Sequence, residues 1–212
     1  MSAGFQRLAG ICALLVGFGA LVYAILFITI VEGNEETEPW FAILLGGAVT
    51  TVPVMIALYF RLRAFDEGVA LTALVLGLFG ALGGILHGGY ELAALVTPPD
   101  TPPEVGVFPG PESVAKGVLR YLVAGLALLL IAWLVWASAL LPRGIAILAG
   151  IGGVLLVVIY FGRLFDFITP SDYVSLIPPI LYGFLVHPLL YGWIGLTFLR
   201  EGSAAQPGVT SQ

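Results

Sequence analysis

Charge is scarce in this sequence. Only 10% of its 212 residues are Asp, Glu, Lys or Arg, against 59% hydrophobic, and the mean hydropathy is +1.06. A soluble domain of this size covers itself with charge, so a water-facing surface is excluded for most of the chain. Cysteine is scarcer still. Cys12 stands alone, which excludes an internal disulfide and a thiolate metal cluster within one chain. It reads as a small apolar residue of the first helix, with palmitoylation as the alternative. The sole asparagine, Asn34, precedes Glu-Glu and is not a glycosylation acceptor. Walker, dinucleotide-binding, His-Glu-x-x-His and Gly-x-Ser-x-Gly motifs are all missing. There is no arginine ladder for voltage sensing, and no basic tract suited to nucleic acid. The ten-residue alternation of an outer-membrane barrel is absent too.

What is present is a series of long uncharged apolar runs, each able to satisfy its own backbone in lipid as a helix. The pattern predicts helices over about 8–31, 40–60, 69–96, 117–141, 144–162 and 174–199 in one transmembrane domain (1–200), with 201–212 as a disordered tail. The first run is longer than a signal-peptide core and lacks a cleavage pattern, so it reads as a retained helix. Pro53 is expected to kink the second. Val69–Val96 would make a helix of about 42 Å, longer than the roughly 30 Å hydrocarbon layer. Six prolines between Pro98 and Pro111 forbid a helix in the excursion that follows.

Six helices put both termini on one side. That side receives Arg7, Arg61, Arg63, Arg143 and Arg200 against Asp66, Glu67 and Glu201. The other side receives Lys116, Arg120 and Arg163 against nine acidic residues, Glu91 aside. The positive-inside rule then places both termini in the cytoplasm and the chain in the plasma membrane. The three minority cations all fall at helix ends, where they look like partners for something rather than topology signals.

Two segments resemble each other: Ala42–Asp66 and Ala146–Asp166 both read Ala-Ile-Leu, glycines, a β-branched run, Tyr-Phe, then Arg, Leu, Phe and Asp. The match raises the option of two inverted three-helix halves, a plan found among secondary transporters. Within helix three, Gly80, Gly84 and Gly88 form a GxxxGxxxG line. It reads as a packing seam for a neighbouring helix, with Gly150, Gly152 and Gly153 or Gly46 and Gly47 as partners. The alternative is that the missing side chains leave room for a ligand.

His87, Tyr90 and Glu91 share a face near the end of helix three. Lys116 and Arg120 open helix four at the same height, and Arg163 and Asp166 close helix five. Ionisable groups at membrane depth are costly unless paired or wetted, so these seven residues are expected to form an outward polar pocket in which Glu91 pairs with Arg120 or Arg163. The bland alternative is that each snorkels to the headgroups. His187 falls near the middle of helix six, flanked by Pro178, Pro179 and Pro188. It is either a neutral histidine satisfied by a carbonyl or hydroxyl, or part of a midplane site in a broken helix.

The Arg7-Leu8-Ala9-Gly10 opening, Glu91 late in helix three, Leu141-Pro142-Arg143 before a glycine-bearing helix five, and a Gly-rich last helix ending in Arg200 resemble one uncharacterised group of bacterial and archaeal six-helix membrane proteins. The likeness spans most of Arg7–Arg200, and the proline-rich excursion at Thr97–Ser113 departs from it. It implies a fold and no activity, so it assigns no residue a role.

The sequence therefore predicts an all-α, polytopic transmembrane six-helix bundle lying in the lipid bilayer. Its pocket is expected to bind a lipid or small molecule, or to stabilise a membrane-protein partner or a second copy. No cofactor, metal, nucleic acid or enzymatic chemistry is expected. One alternative is a small secondary transporter with His187 and Glu91 on a proton path. Another is an intramembrane enzyme using His87 and Glu91 as acid and base.

Overall fold

In a computed structural model the described residues are 1–31, 47–96, 119–165, 167 and 176–204, without the side chains of 27–31, 87, 89–96 and 204. The apolar runs become helices. α1 spans Ala3–Val31 and begins earlier than expected, because Phe5 N–H donates to the Ser2 hydroxyl (3.3 Å) and caps the first turn. A 3₁₀ turn, Gly47–Thr50, leads into α2, Thr51–Leu62. α3 is Glu67–Val96, α4 Leu119–Ser138 and α5 Arg143–Leu164. α6 occupies residues 177–204 in three parts: an α-turn Ile177–Leu181, a π-turn Tyr182–Val186, and the helix His187–Ala204. Five of the six are long and apolar enough to cross a membrane, while the described part of the second, Gly47–Leu62, is shorter.

Three boundaries depart from expectation. Pro53 does not interrupt α2; it is the third residue of its first turn, where its missing N–H has no intrahelical partner to lose. α4 stops at Ser138 because Ala139 enters the left-handed region (φ 52°), and Leu140 N–H turns to the Ser138 hydroxyl (3.3 Å). α6 runs on through Arg200 and Glu201 to Ala204. The proline-rich excursion and the tail beyond 204 lie outside the described residues.

Each helix packs against the next in chain order, and α6 returns to α1, so the six close a ring. This neighbour order is the same whether the helices are read as one bundle or as two inverted halves. In lipid, helices gain little by hiding apolar surface from one another, so association rests on close backbone approach. A Cβ on Gly153 of α5 would lie 2.8 Å from the Gly125 carbonyl oxygen of α4, and one on Gly195 of α6 would lie 2.8 Å from the Gly10 carbonyl oxygen of α1. Gly80 and Gly83 of α3 likewise meet Ala124 and the Arg120 stem of α4, each with 2.9 Å to the nearest side-chain carbon. The helix these two glycines meet is therefore α4, rather than α2 or α5; Gly77, one turn away, does meet Met55 of α2.

The half of the ring that carries the termini is filled. Ala9, Leu62, Leu134, Ile145, Leu190 and Phe198 are fully buried there, and Cys12 packs among them as a small apolar side chain. A polar clasp sits over this core. Arg61 of α2 pairs with Glu201 of α6 (2.9 Å), and its Nε donates to the Leu140 carbonyl in the α4–α5 turn (3.3 Å). Gln6 of α1 donates to the other Glu201 oxygen (2.9 Å). Three stretches of chain meet at one carboxylate, and Arg61 ties in a fourth. Tyr59 hydroxyl adds a bond to Glu67 (3.2 Å), and Asp66 caps α3 by accepting from Val69 N–H (3.0 Å). Large apolar side chains such as Phe18, Phe79, Trp136 and Leu196 face outward, as a lipid-facing surface requires.

Candidate functional site

Toward the other end the ring stops being filled. Small residues face inward (Gly19, Ala20, Gly77, Gly80, Ala81 and Ala127), and all six helices contribute to a cavity of about 470 Å³. That is in the range of sites that hold drug-sized ligands. Its walls are mostly apolar, with Leu15, Met55, Leu128, Leu156 and Ile159 among them. Of the glycine line of α3, Gly80 packs on α4 and also lines the cavity, Gly84 lines the cavity, and Gly88 is buried.

Polar groups gather in two places. The first lies where α4 begins and α5 ends, which an antiparallel pair brings to one level. Arg120, second residue of α4, and Arg163, last but one of α5, both line the cavity. Arg120 donates to the Tyr121 hydroxyl (2.9 Å) with its guanidinium carbon 4.8 Å from that ring's centre, and it also hydrogen-bonds Tyr23 of α1. The Arg163 Nε is shielded from solvent and has no hydrogen-bond partner among the described residues. No carboxylate occurs among the described lining residues.

The second group is on α6. His187 is flanked by Tyr182, with ring centres 5.1 Å apart, and by Tyr191, at 4.6 Å. Spacing of four explains the second contact on an ordinary helix. Spacing of five does not explain the first, because it would leave Tyr182 well off that face. The π-turn Tyr182–Val186 supplies the difference, since its i→i+5 bonding aligns residues five apart. Pro188 is the cause in the sequence: it has no N–H, and its ring crowds the carbonyl four residues back, inside the π-turn. The Nδ1 of His187 is buried without a hydrogen-bond partner among the described residues.

Of the seven residues expected to form the outward pocket, Arg120 and Arg163 are brought together. The side chains of His87, Tyr90 and Glu91 lie outside the described residues, as do Lys116 and Asp166, so the expected Glu91 pairing does too. The partners described for Arg120 are phenols, Tyr23 and Tyr121, which the sequence did not single out. The adjacency of Tyr121 to Arg120 was the available signal. Among the described residues no three His, Cys, Asp or Glu side chains are placed to hold a metal. Chemically, the arrangement offers two cations and phenols at one level, an apolar chamber, and a cluster of aromatic rings around His187 beyond. Compared with protein-family models, curated proteins and solved structures, the chain matches none, and its functional reading rests on this cavity.

Proposed function

We propose that this protein is a non-enzymatic integral membrane protein that takes a small amphipathic molecule or lipid into the ring of helices. The observation that carries the reading is the 470 Å³ cavity, apolar along most of its wall with polar groups gathered at two points. The basic residues of the clasp end support a topology with both termini in the cytoplasm, and a terminal reporter fusion tests that placement. For the binding function, protein purified in a neutral detergent is denatured and its extracted small molecules are identified by mass spectrometry. One class of amphiphile near one per chain is expected. Gly19 lines the cavity with open space where a Cβ would stand, so Gly19→Leu puts an isobutyl group into it. Equal retention of the same amphiphile by Gly19→Leu would remove the cavity as the site.

A second reading is a small secondary transporter, favoured by His187 standing on the cavity beside a π-turn and three prolines. Proteoliposomes under a proton gradient separate the two: a transporter accumulates its substrate and loses that with His187→Phe, whereas a binding protein accumulates nothing.

A further inference from the structure

We infer, resting on the binding reading above, that the occupant is an anion-headed amphiphile whose phosphate or carboxylate lies between Arg120 and Arg163. Arg120 and Arg163 line one cavity at one level, each partly buried, and like charges gathered at membrane depth are stabilised by an anion shared between them. Among the described residues Arg120 hydrogen-bonds phenols, and a phenol is a neutral acceptor that leaves the positive charge uncancelled. The shielded Nε of Arg163, with no described partner, is a donor aimed at nothing the described residues supply. Guanidinium forks match the two or three oxygens of a carboxylate or phosphate, and Tyr121 and Tyr23 can donate their hydroxyl hydrogens to the same group. Beyond the cations the wall turns apolar through Leu128, Leu156 and Ile159, which fits a hydrocarbon body. A neutral amphiphile would leave both charges unanswered, and a bare anion would leave the chamber empty.

The test is thermal melting and native mass spectrometry of the full chain in a neutral maltoside detergent. The added probes are hexadecyl phosphate, palmitate, hexadecanol or inorganic phosphate. The two anionic amphiphiles are expected to bind and raise the melting temperature, with hexadecanol and inorganic phosphate at least about tenfold weaker. Arg163→Gln and, separately, Arg120→Gln are expected to weaken the anionic amphiphiles about tenfold or more, with hexadecanol unchanged. Arg143→Gln, at the other end of α5, should change nothing. Arg163→Lys keeps the charge without the fork, so an intermediate loss is expected and guards against a folding artefact. Equal binding of hexadecanol overturns the anionic head and leaves the binding function standing. Binding of inorganic phosphate as tight as hexadecyl phosphate identifies free anion as the ligand and overturns the amphiphile. Failure of all four probes, with the purified protein free of amphiphile, removes both readings. Glu91→Gln should leave hexadecyl phosphate binding within about threefold; a tenfold gain would show the cations already committed to Glu91 and overturn the inference.

Discussion

Arg61 and Arg163 stand toward opposite ends of the same ring and are treated in opposite ways. Arg61 is met by Glu201 and the Leu140 carbonyl, and Glu201 in turn by Gln6, so its charge closes four stretches of chain into one joint. Arg163 has a shielded Nε with no described partner, and its neighbour Arg120 leans on phenols. The clasp end is also the packed end; the cations at the other end border a void. At the clasp end charge comes with a counter-charge and a filled core; at the cavity end, among the described residues, it comes without either.

The largest effect should come from closing the packed seam too tightly. Gly153→Ala places a methyl against the Gly125 carbonyl oxygen, where neither backbone can yield, and is expected to cost about 1–3 kcal/mol in a detergent melt. Gly192→Ala, with nothing near its Cβ, is the matched control and should stay within about 0.5 kcal/mol. Next comes the direct contrast of arginines. Arg61→Gln should lower stability by roughly 1 kcal/mol, modest because the pair is about a third exposed (36% and 34%). Arg163→Gln in the ligand-free protein should show no loss, or gain about 1 kcal/mol, since it removes an unanswered buried donor. A loss equal to that of Arg61→Gln would erase the distinction between the two ends. His187→Phe extends the contrast along α6. It removes the unpartnered Nδ1 while keeping ring contacts to Tyr182 and Tyr191, so the ligand-free protein should melt within about 1 kcal/mol of the parent. The smallest effect is at the α4–α5 turn. Ala139→Gly relieves a left-handed backbone and should stabilise by about 0.5–1 kcal/mol, the gain being offset in part by a looser unfolded chain.

Much of the framework was legible because apolar runs in lipid leave the backbone one solution. The runs marked six helices, and the odd cations on the acidic side marked Arg120, which meets Tyr23 and Tyr121, and Arg163, whose Nε has no partner among the described residues. The clasp escaped notice because Arg61 and Glu201 are 140 residues apart, the first counted as a topology charge and the second assigned to the tail. Tyr182 escaped because a 3.6-residue period puts it off the His187 face, and a single π-turn changes that phase. A pocket was expected, but its extent and its small-residue walls escaped because emptiness belongs to no single residue. It arises when glycines and alanines on several helices happen to face the same space, and membrane sequence places such residues at seams equally often.

The glycine-lined contact between α1 and α6 also fixes when the molecule can be completed. Gly10 and Gly195 belong to the first and sixth helices, so their contact has the longest sequence separation of the close backbone seams. α1 packs on α2 as well, but four helices lie between it and α6 in the chain, the neighbour with which it shares its closest backbone seam. The chain is thus shut from its two ends. A stop codon anywhere before α6 would leave not a smaller protein but an open crescent, with Tyr23 and half the chamber facing the membrane.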